Sequence, residues 1–526
     1  MKIRRAPTLA VTLAAGLAAG LTACSGATST AASSSANEVI PLLRAGIDSP
    51  EPGLDMTKNI NASLIDQLGL ESLLKYGPQG QLEPDLATSW TQTSPVTYVY
   101  HLRQGVKFWD GHPLTATDVA YSLNYDRGAG SELAFAFTAV KSITATSPDT
   151  VTVTLTQPQA SWQYVPAEET SYVFEKQFQQ AHQATFGNPG TLVMGTGPWQ
   201  ITSLDPTKGA EVSANPNWWG GKVPIQRISF SFYSSETSEA LAFRAGEIDI
   251  DPNVSNPESF AATSGAKLLT ASACDNGFLT MNTTLPGWND VHVRRAVAYT
   301  LNRSDIIAAH GGYTQPVYTL TPPSLLLSVA SQSQVNALLN SIPLYQYDLA
   351  KAKQEMAQSA YPHGFTTTIT AASYGSVLNV TQVIVAELAK IGIRAQIKQM
   401  PVNAWQAAQT GPASGRGVSL SEGGCFQPDP SAYYDDLGSE NTAAGSWNMA
   451  EYTPAEVDTL LSQGIATTNP AQRFTIYSKL FQKLQTDLPY IGLYTRDYVI
   501  ALSPRFTYSG FSQWFWNLPW ALGIRA

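Results

Sequence analysis

The sequence predicts a mixed α/β fold that is divided into several lobes. Its 526 residues are too many for one small hydrophobic core, so we expect two or three domains. Hydrophobic residues make up 43% of the chain, which is enough to fill large cores and excludes wholesale disorder. Strand-like alternation and capped helical segments interleave along the chain without regular βαβ spacing. The fold class is therefore α/β or α+β.

The clearest strand signals lie in the first third of the chain. Apolar residues alternate with threonines over 151–156, which is the period of a half-buried strand. The turn sequence Ser-Pro-Asp-Thr precedes this segment and predicts a partner strand over 142–146. A further strand is predicted over 97–102. These segments predict one pair of strands and a further strand.

The helices are predicted from their ends. Thr115 followed by Asp118 is a capping box, and Asn469 before Pro470 is a typical helix start. The segment 383–391 is amphipathic and is followed by a glycine, a common helix stop. Helices therefore follow strands in both the first and the last part of the chain.

The N-terminal segment has the pattern of an export signal. Lys2, Arg4 and Arg5 form a positive region, and 6–20 is a short apolar stretch. The following Leu-Thr-Ala-Cys, which ends at Cys24, resembles the lipobox of bacterial lipoproteins. In that motif the cysteine becomes the first mature residue and its thiol carries lipid.

We therefore expect a lipoprotein signal peptide over 1–23 and lipidation of Cys24. The stretch 24–37 is rich in Ser, Ala and Thr, which is typical of a flexible tether. An ordinary secretory peptide cut elsewhere and an uncleaved anchor are the alternatives.

Two further cysteines, Cys274 and Cys425, remain in the predicted mature chain. An even number of cysteines in an exported protein favours a disulfide between them. Two buried free thiols and a metal site are the alternatives, although neither cysteine belongs to a Cys-x-x-Cys motif or has a neighbouring histidine.

Composition and motifs exclude several classes of function. A net charge of −9 with only 13% charged residues argues against nucleic-acid binding. Outside the first two dozen residues there is no run of about 18 apolar residues, which argues against a membrane transporter. The chain contains no Gly-x-Ser-x-Gly elbow, His-Glu-x-x-His motif or P-loop, and its histidines stand singly. We therefore expect no enzyme, no cofactor and no metal.

Ten short motifs occur in a fixed order along the mature chain. They lie at 81–90, 101–111, 113–119, 195–199, 215–219, 281–284, 293–299, 347–353, 427–430 and 487–494. In this order they resemble the bacterial extracellular solute-binding proteins of family 5, the oligopeptide, dipeptide and nickel class. The resemblance extends from about residue 38 to residue 526.

The resemblance implies a two-lobed periplasmic-binding-protein fold with an additional subdomain. Lobe I would comprise 38–70, 195–272 and 490–526, the subdomain 71–194, and lobe II 273–489. A monomer held at the outer face of the cell membrane would close on a peptide or other small solute and deliver it to ABC permease subunits. An oligosaccharide-binding or ligand-sensing lipoprotein of the same fold is the alternative.

The resemblance also implies where ligand contacts lie. The expected ligand-binding residues are Asn59, Asn61, Phe135, Trp405, Phe426, Gln427, Asp429 and Trp447. Peptide-binding members hold the peptide ammonium with an acidic residue where this chain has Phe426 or Gln427. Glu422 or Asp429 would have to substitute; otherwise a neutral ligand, bound by aromatic stacking and amide hydrogen bonds, is expected. A metal chelate is the third and least favoured ligand.

Overall fold

The computed structural model describes residues 39–48, 51–373, 376–425, 427–443 and 446–526, apart from the side chains of residues 61, 403 and 434–436. The predicted signal peptide, the tether and the lipid attachment at Cys24 lie outside these residues. So does Phe426. The chain divides into Met1–Asn37 and Glu38–Ala526, and the following description concerns the second unit alone.

Strands run through the whole of this unit. They are β1 (Leu43–Ile47), β2 (Leu74–Tyr76), β3 (Leu82–Pro84), β4 (Ala87–Ser94), β5 (Thr97–Leu102), β6 (Val140–Ser147), β7 (Thr150–Leu155), β8 (Trp199–Asp205), β9 (Gly209–Ala214), β10 (Arg227–Phe232), β11 (Ile250–Asp251), β12 (Lys267–Thr280), β13 (Thr314–Pro316), β14 (Thr366–Ala372), β15 (Arg394–Met400), β16 (Val418–Gly423), β17 (Tyr490–Leu502), β18 (Thr507–Tyr508) and β19 (Ile524–Arg525).

Helices alternate with the strands, which confirms the predicted α/β class. They are α1 (Ser63–Gly69), α2 (Ala116–Asp126), α3 (Lys176–Ala181), α4 (Glu236–Ala245), α5 (Pro257–Ala261), α6 (Val291–Thr300), α7 (Arg303–His310), α8 (Gln332–Ser341), α9 (Leu349–Gln358), α10 (Val377–Ala389), α11 (Val402–Thr410), α12 (Ala455–Ala466) and α13 (Pro470–Asp487). Short 3-10 turns connect several of them.

The main sheet has two halves that are joined by two long strands. Its order is β15-β14-β16-β12-β17-β11-β1-β10-β9-β8, and β13 pairs with β17 beside this path. We call β14, β15 and β16 the β14 half, and β1 with β8–β11 the β1 half. The antiparallel ladder of β12 and β17 runs from Lys267 opposite Leu502, near the β1 half, to Thr280 opposite Tyr490, near the β14 half.

The register of this ladder is interrupted near its middle. Shifts occur between Ser272 and Asn276 of β12, and again between Gly277 and Phe278. Such bulges bend a strand and increase its local twist. The two halves of the sheet therefore meet at a bent region of a shared ladder.

A separate four-stranded antiparallel sheet has the order β4-β5-β7-β6. The strands predicted over 97–102, 142–146 and 151–156 correspond to β5, β6 and β7. β6 pairs with β7 as predicted, and β5 pairs with the other edge of β7. The alternating valines and leucine of β7 are fully buried on one face of the strand, and its threonines lie on the other face. The three predicted strands are confirmed, since their patterns are local, whereas β4 and the strand order were not predicted.

Helix ends follow their capping residues. Thr115 and Asp118 form the predicted capping box of α2. Asn469 accepts a hydrogen bond from the backbone of Gln472 at the start of α13. The helix predicted over 383–391 instead begins at Val377 and ends at Ala389. Its start was not predicted, because no capping side chain marks its first turn.

Candidate functional site

A cavity of about 220 Å³ lies beside the bent region of the β12–β17 ladder. The segment 253–257 and Trp516 line it next to the β1 half of the sheet. Glu422 of β16 lines it from the β14 half together with His310 at the end of α7, and residues 496–499 of β17 form the wall between the two sides. Both halves therefore contribute side chains to one concave site, which is where small-molecule ligands usually bind.

The sequence of β17 explains why polar side chains reach this cavity. Residues 490–494 and 499–502 are buried, whereas 495–498 are only partly buried. A strand that is covered at both ends and open in the middle leaves its central residues facing a gap. The sequence Thr-Arg-Asp-Tyr lies in this gap. Its charged side chains line the cavity, because burying them in the hydrophobic core would be unfavourable.

One arginine neutralises two of the acidic groups here. Arg496 lies 3.2 Å from an oxygen of Asp275 and 3.8 Å from an oxygen of Glu422. The hydroxyl of Tyr494 donates to Glu422 at 2.8 Å, and the ring of His310 lies 3.6 Å from it. Burial alone would raise the pKa of Glu422, but His310 and Arg496 lower it to about 2. Glu422 is therefore a charged, well-held carboxylate at neutral pH.

Three buried polar atoms at this cavity have no hydrogen-bond partner among the described residues. They are Oδ1 of Asp497, Nδ1 of His310 and Nε1 of Trp516. Burial raises the pKa of Asp497, and a hydrogen bond from Ser272 opposes that rise. A buried polar atom without a partner costs about 1–3 kcal/mol, so such atoms mark places where a ligand or water binds.

The disulfide lies next to this charged network. Cys274 of β12 and Cys425, just after β16, are bonded with their Cα atoms 5.7 Å apart. The backbone N–H of Cys425 donates to Asp275 at 3.1 Å. The bridge thus ties the carboxylate partner of Arg496 to the segment that follows β16.

Asn59 and Phe135, two of the expected ligand-binding residues, do not line this cavity. The side-chain amide of Asn59 donates to Glu51 at 2.9 Å and to the carbonyl of Gly53 at 3.0 Å, so it braces its own loop. Phe135 lies in a 3-10 turn and is 47% exposed. The side chain of Asn61 is outside the described set. Neither Asn59 nor Phe135 lines the 220 Å³ cavity.

The segment after β16 contains a buried ion pair. Asp429 is fully buried, and its two oxygens accept from Arg473 at 2.7 and 2.8 Å. It also accepts from the hydroxyl of Ser431 at 2.7 Å. Gln427 is partly buried, with an Oε1 that has no partner in the described part of the chain. A ligand role for Asp429 stays a prediction that its contacts do not favour.

The two tryptophans expected in the cleft lie in apolar surroundings. Trp405 is buried on α11, and Trp447 packs against the large apolar cluster of the four-stranded sheet and helices α12 and α13. Neither lines the cavity. A ligand role for them stays a prediction.

Sequence reasoning named Glu422 only as a substitute and did not name Asp497, His310 or Trp516. One signal was available: Arg496 and Asp497 interrupt the otherwise apolar 490–502 segment. A charged pair in the middle of a buried strand indicates a gap in its cover. His310 and Trp516 carry no such signal, because only the fold brings them to β17.

Comparison with known proteins identifies the family. The profile of the bacterial extracellular solute-binding proteins, family 5 (middle), matches residues 81–445. This chain belongs to that family. The resemblance inferred from the ordered motifs is thereby confirmed.

Two curated relatives and one solved structure illustrate the similarity. Glutathione-binding protein GsiB of Escherichia coli (strain K12) is 24% identical over 466 residues, 85% of this chain and 86% of that protein. Heme-binding protein A of Haemophilus influenzae is 26% identical and covers 81% of each chain. The periplasmic binding protein DppA of Helicobacter pylori, solved with the peptide STSA, superposes with a TM-score of 0.73 at 22% identity. The superposition covers 93% of this chain and 98% of the DppA chain.

The similarity to solved periplasmic binding proteins confirms the predicted fold. Among the described residues, no helix combines the length and the apolar character that crossing a membrane requires.

Proposed function

We propose that this protein is the solute-binding component of an ABC importer and that it captures a short peptide-like solute through a free amine. The observation that carries this proposal is the set of three unpartnered polar atoms on one cavity: Asp497 Oδ1, His310 Nδ1 and Trp516 Nε1. The carboxylate oxygen of Asp497 can accept a hydrogen bond from the amine of a peptide end. The two ring nitrogens can form hydrogen bonds with its carbonyl and amide groups.

Charge at the cavity favours an amine over a neutral ligand. Arg496 already offsets Glu422 and Asp275, which leaves Asp497 as the carboxylate whose Oδ1 lacks a donor. A protonated amine would supply both the donor and the opposite charge. This proposal replaces the expectation of a neutral ligand, which rested on the absence of an acid at Phe426 and Gln427.

Aromatic rings would hold the rest of the solute. Tyr313, Tyr498 and Trp516 line the cavity, and the rings of Tyr498 and Trp516 lie 5.9 Å apart in a T-shaped arrangement. Aromatic faces pack against peptide side chains and backbone with little demand on sequence. We therefore expect broad selectivity for side chains and strict selectivity for the free amine.

Delivery requires closure and a position at the membrane. The bulges of β12 would serve as the hinge across which the β1 and β14 halves close on the solute. Lipid on Cys24 would hold the mature chain at the outer face of the cell membrane, beside the permease. The chain would bind its solute without turning it over.

A double-mutant cycle between solute and protein tests whether Asp497 binds the amine of the solute. A mixture of random tripeptides, and the same mixture after N-acetylation, is offered to the wild-type protein and to Asp497→Asn. Native mass spectrometry measures the bound fraction of each mixture. We expect acetylation to weaken binding at least tenfold in the wild type and to have little effect in the variant, because a hydrogen bond to a charged group contributes about 1.5–3 kcal/mol.

Asp205→Asn is the matched control, because Asp205 forms a surface ion pair with Lys208 at the β8–β9 turn. It should behave as the wild type with both mixtures. Equal sensitivity to acetylation in the wild type and in Asp497→Asn would refute capture of the amine by Asp497. Binding of neither mixture would refute a peptide-like solute.

A further inference from the structure

A second group of candidate ligand side chains lies on the surface, at the loop after β5 and the start of α3. Nδ1 of His112 is 2.8 Å from Oδ2 of Asp110 and 2.8 Å from Oε1 of Glu175. The three atoms lie within 4.8 Å of one another. None of these residues lines the solute cavity, so the proposed solute-binding function does not account for them.

Two carboxylates converge on one ring nitrogen at this cluster. Nδ1 of an imidazole carries at most one hydrogen. Oxygens of Glu175 and Asp110 both lie 2.8 Å from Nδ1, so the two carboxylates share that hydrogen. A cation in place of the hydrogen would contact all three ligand atoms at once.

The backbone holds the cluster in shape. Phe108 and Gly111 close a tight turn, in which the N–H of Gly111 donates to the carbonyl of Phe108 at 2.9 Å. Gly111 has a φ of +97°, a conformation that glycine adopts at low cost. This turn places Asp110 and His112 on the same side. Glu175 is 4% exposed, so its position is fixed by packing.

We propose that Asp110, His112 and Glu175 bind a divalent transition metal, with Zn²⁺ as the best fit. One imidazole nitrogen with two carboxylate oxygens suits zinc, whereas calcium and magnesium prefer oxygen ligands alone. Tetrahedral bonds of about 2.0–2.1 Å separate ligand atoms by about 3.4 Å. The 2.8 Å contacts would therefore open by roughly half an ångström, and water would fill the remaining position.

Such a metal would join the loop after β5 to the start of α3. It would act as a structural clip on the subdomain predicted over 71–194 and would be separate from solute capture.

The test is a calorimetric titration of the chelator-treated, desalted protein with ZnCl₂ at pH 7.5. We expect one equivalent to bind in the wild type, with affinity reduced more than tenfold in His112→Ala and in Glu175→Gln. His182→Ala is the matched control, because His182 is an exposed histidine directly after α3. It should bind as the wild type, and circular dichroism should show all four proteins folded.

Cobalt provides an independent readout. Co²⁺ in the wild type should give visible absorption bands that His112→Ala lacks, and Asp497→Asn should keep them. Absence of Zn²⁺ binding in the wild type, or unchanged binding in both His112→Ala and Glu175→Gln, would overturn the proposal. Either result would leave the solute-binding proposal untouched.

Discussion

Asp429 and Asp497 show how surroundings decide the role of the same side chain. Asp429 is buried against Arg473, whose guanidinium also donates to the carbonyl of Gly464 at 2.9 Å. Its charge is neutralised inside the protein. Asp497 lines the cavity and has a buried oxygen that no described residue satisfies. A buried charge is stable only with a partner, so the first aspartate supports the fold and the second favours a ligand.

The first prediction concerns Asp429. Asp429→Asn should lower the free energy of unfolding by about 3–5 kcal/mol, because Arg473 would remain buried without its counter-charge. Urea denaturation measures this loss, and Asp205→Asn on the surface should change it by less than about 1 kcal/mol. If Asp429→Asn unfolds like the wild type and instead abolishes solute binding, Asp429 is a ligand residue as the sequence predicted.

For the secondary-structure elements, ends that depend on neighbouring residues were predicted from the sequence, whereas contacts between distant elements were not. The ends of β5 and β7 and the caps of α2 and α13 follow from residues within a few positions of each other. The start of α10 was missed because no capping side chain marks it. Cavity residues on α7 and β17 were not predicted, and Glu422 on β16 was named only as a substitute, because their proximity depends on the order of strands in the main sheet.

Two elements near the cavity carry a pair of buried acids. Glu239 on α4 and Asp251 on β11 are 1% and 2% exposed, and each has an oxygen without a partner among the described residues. Burial, together with the charge of neighbouring carboxylates, raises the pKa of both. The other oxygen of Asp251 accepts from the backbone of Asn253, which lines the cavity. We interpret the pair as sharing a proton near neutral pH.

The second prediction follows from the sign of these shifts. A carboxyl whose folded pKa exceeds its unfolded value of about 4 holds its proton longer in the folded state. Stability should therefore fall as the pH rises from that unfolded value towards the raised folded pKa. Asp251→Asn removes one acid and keeps the acceptor for Asn253, so it should flatten this fall.

Chemical denaturation at about pH 6, 7.5 and 9 measures the slope for the wild type and for Asp251→Asn. Glu258→Gln, in the first turn of α5, is the control for removing one acid from this region. Equal slopes for the wild type and Asp251→Asn would mean that the pair does not share a proton.

For the whole molecule, the sequence was most informative about class. Ordered motifs predicted the family and the α/β fold, since a family keeps its motifs in the same sequence order. The ligand contacts were transferred by position, and those that the structure describes do not line the cavity; equivalent positions in a shared fold need not carry the same chemistry. Gln427 illustrates this: the acid expected there is absent, and Asp497 lies on the cavity from another strand.

The third prediction concerns the membrane anchor. Cys24→Ala should release unlipidated protein from the membrane fraction into the medium or periplasm, because one thioether-linked lipid is then missing. Immunoblotting of fractions, with mass spectrometry of the N-terminal peptide, measures the change. Retention of Cys24→Ala in the membrane, together with a native N-terminal peptide that carries no lipid, would show that the lipobox assignment is wrong.

The most direct test of solute capture at the β12–β17 crossing is a crystal structure of the gently purified protein with the solute that it retains. We expect electron density for the solute in the 220 Å³ cavity, with an amine within hydrogen-bond distance of Asp497 and polar atoms on His310 and Trp516. A solute bound instead against Gln427 and Trp447, with only water beside Asp497, would contradict it.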